Sequence, residues 1–355
     1  MNEKLEQILI KKVKKDPLCL KDIKEQTEAV CLEAVKRDGH ALKYVNDETE
    51  IICIEAVKQN GHALEHVKDQ TEEICLAAVK EKGYALYYVK NQTEAICLEA
   101  VKEDANALVY VKDQTKQICL AAVKIDGKAI RYVKNKTKDI CLEAVRQNGY
   151  AIEYIKNQTP EICLAAVKES AFTIEYVNDQ TEKICLEAVK QMGYALKYVK
   201  NQSEDVCLEA VKQDGSALRY VINQNERICL EAVKQNPNAL QYVKNQNERI
   251  CLEAVKQDGK YLCYVENQTN NICIESLKNN FNDSMRLIKI KEKSTAMIVL
   301  EAYLQHAKNK IILNEIIKNF SEDKEIVDFY TKHKLWKYVD FNKLNVKLAQ
   351  YGMIL

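Results

Sequence analysis

Apolar positions recur along most of this chain with a fixed period of twenty-two residues. The stretch Thr71–Gln92, TEEICLAAVKEKGYALYYVKNQ, shows one period, and we number its columns 1 to 22 from the threonine. A cysteine occupies column 5 at every twenty-second residue from Cys31 to Cys273, with no insertion or deletion. A short fixed period is typical of a solenoid, in which each unit packs only against its neighbours.

Each period contains the pattern of two short helices, which we call helix A and helix B. Apolar residues at columns 4, 5, 8 and 9 form a helical stripe, and the Thr, Ser or Asn at column 1 is a suitable cap for its start. Asp or Asn at column 12, followed by Gly or by Pro237 at column 13, predicts a second helix start. We expect helices of about ten and eight residues, with helix B ending near Asn91, a residue type that tolerates left-handed backbone.

The predicted fold is therefore an all-α solenoid of about 12–13 two-helix repeats of 22 residues with a helical C-terminal cap. Residues 1–26 resemble a degenerate first copy that caps the array, and residues 27–278 are the tandem repeats. Residues 279–355 keep helical patterning without the repeat. They are expected to form a C-terminal cap or, alternatively, a docking module that ends in Leu344–Leu355.

Charge and hydropathy narrow the possible partners. The chain has 355 residues and a net charge of +1, whereas residues 27–278 carry 33 basic and 38 acidic side chains, a net charge of −5. Binding to nucleic acid depends on neutralising phosphates, so an acidic array disfavours it. No apolar run approaches the length of a membrane span, and residues 1–26 have no signal-peptide core. We expect a cytoplasmic protein.

The cysteines are interpreted as core residues. Twelve of the fourteen occupy column 5, beside the apolar column 4. A free cysteine in such a stripe behaves as a small buried hydrophobe, and no CxxC or CxxH pair favours zinc. The sequence predicts buried free thiols.

Catalysis finds no support in the motifs. The chain contains no nucleophile elbow, phosphate-binding loop or HExxH motif. Glu at column 7 and Lys at column 10, as in Glu99 and Lys102, recur too regularly for an acid–base pair and indicate a solvated helix face. We expect no enzymatic activity and no cofactor.

One histidine cluster raises the question of a metal. His62 and His66 lie four residues apart, and His40 occupies the column of His62 one repeat earlier. Three imidazoles at one place could hold zinc or nickel. Because other repeats carry aromatic or polar residues in these columns, surface substitution is the preferred interpretation, and no metal is expected.

Column 18 is tyrosine in ten of eleven full copies, with His66 as the exception. Aromatic platforms beside lysines could stack the bases of single-stranded RNA. The tyrosine does not vary, however, and lysines alternate with glutamates. We therefore expect structural tyrosines whose hydroxyls lie at the edge of the core.

The most variable columns of helix B, 14 and 17, are the candidate partner surface. Packing fixes the columns that repeat, while solvent-exposed columns vary. Aromatic and arginine side chains are enriched at binding hot spots, and we expect the aromatic ones here to be exposed. The protein-binding candidates are Tyr84, Tyr87, Arg131, Tyr150, Phe172, Tyr194 and Arg219.

The repeat also resembles a known family. The run ICLEAVRQNGYAIEYIKNQTPE, Ile140–Glu161, is similar to a domain-of-unknown-function repeat abundant in proteins of giant DNA viruses that infect amoebae. The resemblance covers about residues 27–278. It implies a viral origin and expression in host cytoplasm, and it implies no activity and no site residues.

These observations lead to one hypothesis and two alternatives. The hypothesis is a non-enzymatic scaffold that binds a protein partner along the helix-B face. The first alternative is an RNA-associated scaffold, for example one that organises translation factors. In the second, the array is a spacer and residues 279–355 bind the partner.

Overall fold

The computed structural model describes residues 3–306, 310–320 and 322–339, and in these ranges the regular structure is helical, without strands. The chain divides into two compact units, Met1–Glu187 and Ala188–Leu355. In both units α-helices alternate with shorter 3₁₀ helices in register with the sequence period, and within each unit helices pack against their counterparts in neighbouring repeats. The predicted all-α solenoid of two-helix repeats is confirmed.

The helix bounds follow the columns closely. Helix A spans Glu28–Arg37, Glu50–Gln59, Glu72–Glu81, Glu94–Glu103, Lys116–Ile125, Lys138–Gln147, Pro160–Glu169, Glu182–Gln191, Glu204–Gln213, Glu226–Gln235 and Glu248–Gln257. Helix B spans Gly39–Tyr44, Gly61–His66, Gly83–Tyr88, Ala105–Tyr110, Gly127–Tyr132, Gly149–Tyr154, Ala171–Tyr176, Gly193–Tyr198, Gly215–Tyr220, Pro237–Tyr242 and Gly259–Tyr264. The flanking helices are Glu3–Lys15, Pro17–Asp22, Asn270–Asn279, Phe281–Leu287, Lys293–His306, Lys310–Phe320, Lys324–Lys332 and Leu335–Tyr338.

Both predicted helix starts are confirmed by their caps. The Thr93 hydroxyl accepts a hydrogen bond from the Ile96 amide at 3.3 Å, where helix A begins. The Asp104 carboxylate accepts one from the Asn106 amide at 2.8 Å, where helix B begins. All three prolines, Pro17, Pro160 and Pro237, occupy an opening position of their helices, where a backbone donor is not needed.

The predicted length and end of helix B are wrong. Helix B is a six-residue 3₁₀ helix that ends at column 18, as at Tyr88, and the chain is already extended at Val89. Among the described residues only Lys334 combines a side chain with positive φ, so Asn91 is not left-handed. The carbonyl of Leu86 accepts hydrogen bonds from the Val89 amide at 3.2 Å and from the Gln92 side chain at 3.3 Å. These bonds turn the chain back toward the next helix A.

Glycine at column 13 permits close approach between repeats. A Cβ added to Gly83 would lie 2.6 Å from the carbonyl oxygen of Ala100, which belongs to helix A of the next repeat. Such a separation is shorter than van der Waals contact. The backbone of helix B therefore lies directly against the end of the following helix A.

The core consists of the same columns in every repeat. In the repeat that begins at Thr93, Ile96, Cys97, Ala100 and Val101 are at most 3% exposed, and Leu108 of helix B is fully buried. Helices of six to ten residues are too short to persist alone in water. Burial of this stripe between neighbouring repeats therefore stabilises them, at about 25 cal/mol per Å² of apolar surface.

A glutamine at column 22 joins consecutive repeats by hydrogen bonds. The Gln92 amide group donates to the carbonyl of Tyr110 in the next repeat at 2.9 Å, and its oxygen accepts from the Lys112 amide, also at 2.9 Å. The Cys97 thiol donates to the same oxygen at 3.8 Å. Equivalent bridges occur at Gln26, Gln70, Gln114, Gln158, Gln202, Gln224 and Gln246.

The glutamine bridge continues past residue 278. Gln268 donates to the carbonyl of Leu287 at 3.0 Å and accepts from the Lys289 amide at 2.7 Å. Further on, the buried Tyr330 hydroxyl donates to the Leu313 carbonyl at 2.7 Å. The last part of the alternative docking module, Leu344–Leu355, lies outside the described residues.

Candidate interaction surface

The exposed side of helix B is formed by columns 14, 17 and 18. In unit 1 the Tyr84 ring contacts the Tyr110 ring of the next repeat edge to face, with centroids 5.7 Å apart. Tyr150 and Tyr176 make the equivalent contact at 6.1 Å, as do Tyr194 and Tyr220 in unit 2 at 4.9 Å. Column 14 therefore packs against column 18 of the following repeat.

This ring contact corrects the expected exposure of the candidate residues. Tyr84, Tyr150, Phe172 and Tyr194 are half-buried rather than exposed, because column 14 lies between consecutive helices B. Only column 17 points fully to solvent, and Tyr87 is 65% exposed. The contact between columns 14 and 18 depends on tertiary packing, which column variability alone does not indicate.

The structure brings several of the candidates together. Tyr84 and Tyr87 both contact the Tyr110 ring, the latter at a centroid distance of 5.3 Å. Val109, the next column-17 residue, is 46% exposed and was not among the residues predicted from the sequence. Its apolar side chain in a column expected to face solvent could have identified it.

Arginines of column 17 lie on tyrosine rings. The Arg131 guanidinium is 4.6 Å from the centroid of Tyr132 and donates to the Asn106 side chain at 2.8 Å. In unit 2 Arg219 lies 5.5 Å from the Tyr220 centroid and 5.0 Å from that of Tyr242. These contacts hold the cations in fixed positions on the helix-B face.

The histidines follow the same packing rule instead of converging. The His40 ring contacts the His66 ring edge to face at 6.1 Å, and the His62 ring contacts Tyr88 at 5.8 Å. The His40 Nε2 atom is 3.0 Å from the side-chain nitrogen of Asn60. Within residues 3–306, 310–320 and 322–339, no group of three or more His, Cys, Asp or Glu side chains is arranged to hold a metal ion.

The thiols of column 5 are in a setting that suppresses nucleophilic reactivity. All twelve are buried and free, as predicted. Burial raises the pKa of the Cys31 thiol to about 11 and that of Cys53 to about 12, with a smaller contribution from neighbouring carboxylates. A nucleophilic cysteine needs a lowered pKa and access to solvent, and these thiols have neither.

Tyr194 and Tyr220 differ from the other ring pairs in their electrostatics. The hydrogen bond with Tyr220, followed by the nearby Lys197 and Arg219 charges, lowers the pKa of Tyr194. The same bond raises the pKa of Tyr220. This pair therefore lies in a locally positive part of the helix-B face.

No described helix is long and apolar enough to cross a membrane. The helix pairs, the shared core columns and the glutamine bridges define a repeat protein of the α-solenoid class. The model of a family described as a domain of unknown function, DUF4116, matches the chain in overlapping segments: residues 28–70, 49–93, 93–138, 115–159, 137–181, 181–225, 203–247 and 225–270. The chain belongs to this family. No curated protein and no solved structure matches it.

Proposed function

We propose that the array is a non-enzymatic scaffold that binds a protein partner along the helix-B face. The observation that supports this is that some columns serve packing and others face solvent. Columns 5, 8, 9, 13 and 22 are used in packing and repeat almost unchanged, whereas column 17 is exposed and varies. The exposed side of helix A is mainly polar, with salt bridges such as the Glu99–Lys102 pair at 3.4 Å, and Ile51 and Ile125 are its exposed apolar exceptions.

Tyr87 and Val109 are the proposed centre of the contact in unit 1. They occupy column 17 in consecutive repeats, are 65% and 46% exposed, and flank the Tyr110 ring. Tyrosine is enriched at binding hot spots, and Val109 extends the apolar surface beside Tyr87. The rings are already ordered by their contacts, so binding costs little side-chain entropy.

Site-specific photo-crosslinking tests the proposed face. A photoreactive phenylalanine analogue at Tyr87 should capture a discrete partner in extract of the source cells, and Val109→Asp should abolish the capture. The matched control is the same analogue at Ile51, which is 59% exposed but lies on helix A. Capture of the same proteins from both positions would refute the helix-B face.

The compartment belongs to the same proposal. Fourteen free cysteines, thirteen of them buried, suit a reducing environment such as the cytoplasm. An origin in an amoeba-infecting giant virus, and hence host cytoplasm, stays a prediction.

A further inference from the structure

In unit 2, the cations of helix A and those of helix B have different neighbours. On helix A the arginines lie beside carboxylates of the preceding repeat. Arg227 lies 3.4 Å from Glu204, and Arg249 lies 3.2 Å from Glu226. The column-10 lysines of these helices, such as Lys212, form no ion pair in the described ranges, but every helix A of this unit also carries carboxylates. The helix-A face therefore mixes both signs of charge.

On helix B the cations lie on tyrosines instead. The Lys197 ammonium is 5.8 Å from the Tyr194 centroid and 5.2 Å from that of Tyr198. Neither Lys197 nor Arg219 forms an ion pair with any residue of the described ranges. From Tyr194 to Tyr264, columns 14, 17 and 18 carry three cations, the third being Lys260, and no acidic residue.

Acidic groups border this face at column 12, and Asp283 lines the cavity at its end. Asp258 pairs with Lys260 at 3.0 Å and so neutralises that cation. Asp214 accepts the amide of Ser216 at 2.8 Å as a helix cap and forms no ion pair in the described ranges. Lys197 and Arg219 consequently keep their full charge toward solvent.

Departures from the repeat extend this surface at its end. Arg286 occupies the position that follows Tyr264 by one period, and Tyr261 replaces the alanine of column 15. They border an open cavity of about 350 Å³, which is also lined by Asn238, Lys260, Cys263, Tyr264, Asp283 and Leu287. Arg286 is exposed and has no hydrogen bond or ion pair with a described residue.

We propose that Lys197, Arg219 and Arg286, which we call the cationic stripe, bind an extended acidic segment of the partner polypeptide. The inference rests on the proposed function and specifies the chemistry of the partner. Unpaired cations aligned on one face attract a chain of carboxylates, and guanidinium groups bind carboxylates in a two-point geometry.

The tyrosines favour a peptide over single-stranded RNA. Base stacking requires free ring faces, but Arg219 covers Tyr220 and Tyr242, and the Tyr194 ring packs against Tyr220. The cations remain available to a ligand, whereas the ring faces are covered. An acidic peptide binds the cations and does not need free ring faces.

The repeat spacing suits an extended chain. Neighbouring packed helices lie about 8–10 Å apart, and an extended peptide advances about 3.3 Å per residue. Three peptide residues therefore span one repeat. A glutamate at every third position places one carboxylate at each repeat, opposite Lys197 and Arg219 in consecutive repeats and again opposite Arg286 three repeats further on.

Fluorescence anisotropy on the full chain tests the proposal. The probes are a labelled peptide with glutamate at every third position, its glutamine counterpart and a labelled oligouridine. We expect the glutamate peptide to bind, with an affinity that falls as salt rises, and the glutamine peptide not to bind. Equal binding of the two peptides, or tighter binding of oligouridine, would overturn the proposal.

Charge reversal locates the site. Lys197→Glu combined with Arg219→Glu should weaken binding of the glutamate peptide about tenfold or more. The matched control, Lys212→Glu with Lys234→Glu, makes the same charge change at exposed positions of helix A and should leave the affinity within about twofold. Equal loss in both variants would show unspecific attraction and refute the stripe. Lys197→Gln with Arg219→Gln, checked by circular dichroism, keeps the test valid if the reversal variant misfolds.

The two proposals can fail separately. Specific crosslinking at Tyr87 without binding of the glutamate peptide would refute the cationic stripe alone. Peptide binding lost in the stripe variant, without specific crosslinking at Tyr87, would refute the proposed contact in unit 1 alone.

Discussion

At the scale of single residues, the glutamine of column 22 does more than its polar character suggests. Gln92 joins the end of its own helix B to the next repeat through four hydrogen bonds, two as donor and two as acceptor. An amide is the only neutral side chain that can donate and accept in this way. Two repeats have another residue at this column. Glu48 still accepts from the Lys68 amide at 3.0 Å. Lys136 donates to the Val133 carbonyl at 2.9 Å, but its side chain contains no atom that can accept a hydrogen bond.

Lys136→Gln should therefore stabilise the protein. The new side chain can accept from the Lys156 amide and donate to the Tyr154 carbonyl, the bonds that Gln92 makes two repeats earlier. We expect a gain of about 1 kcal/mol in the free energy of unfolding, measured by urea denaturation. Gln92→Ala is the converse variant and should cost about 2–4 kcal/mol. A Lys136→Gln protein no more stable than the wild type would contradict the role given to this column.

The column-5 thiols predict a pH dependence. Burial holds their pKa values above the ordinary value of 9, at about 11 for Cys31 and about 12 for Cys53. Because the folded state favours the protonated thiol, its contribution is complete below pH 9 and is lost as pH rises toward 12. Stability to urea should fall steeply across that window, by up to about 1.4 kcal/mol per pH unit for each thiol.

Cysteine variants separate this effect from the titration of lysine and tyrosine. Cys53→Ala should flatten the alkaline loss of stability, whereas Cys263→Ala, at an exposed position, should flatten it less, although burial also raises the pKa of that thiol. Identical pH profiles for Cys53→Ala and the wild type would show that the buried thiols do not carry the dependence.

At the scale of the helix pair, close approach at column 13 sets the geometry. Gly83 does not have positive φ, so its glycine is required by the neighbouring Ala100 carbonyl and not by its own backbone. Three repeats carry Ala105, Ala171 or Pro237 in this column, and those residues are buried there. Those three repeats therefore accommodate a larger residue at this column.

Gly83→Ala should destabilise the array. The added methyl group would lie 2.6 Å from backbone and must displace helix A of the next repeat, at a cost of about 1–3 kcal/mol. Thermal denaturation followed by circular dichroism measures the effect. Ala105→Gly is the control and should cost only about 0.5–1 kcal/mol, from backbone entropy. If Gly83→Ala were neutral, the contact between helix B and the next helix A would be less tight than the structure has it.

At the scale of the whole molecule, stability comes from contacts between neighbouring repeats. Within unit 1 the apolar columns are buried by the adjacent repeats, and the glutamine bridges reach only one repeat ahead. A protein of this kind gains stability approximately per interface. The described residues of unit 1 have a core that runs from repeat to repeat instead of a single central one.

Fragments of unit 1 should become more stable with length. We expect residues 27–92 to be marginal and residues 27–158 to be clearly folded, with about 1–3 kcal/mol gained per added repeat. Urea denaturation of both fragments measures this difference, and residues 71–136 provide a length-matched control for composition. Equal stability of the short and long fragments would contradict stacking as the source of order.

Local sequence determined the elements of this protein. The period, the caps at columns 1 and 12, the three prolines at helix starts and the buried cysteine column all depend on contacts within a few residues, so Thr93 and Asp104 could be assigned from the sequence. The choice of column 17 as exposed surface, with Tyr87, also came from the pattern.

Tertiary structure decided what depends on the next repeat. The burial of Tyr84 and Tyr194 by neighbouring rings and the bonds of Gln92 to Tyr110 and Lys112 involve atoms about twenty residues away. The cationic stripe likewise required knowing which cations are paired, because Arg227 and Arg219 look alike in sequence and only the first has a carboxylate within reach. Periodicity shows which residues share a face, and packing between repeats decides which of them remain free to bind.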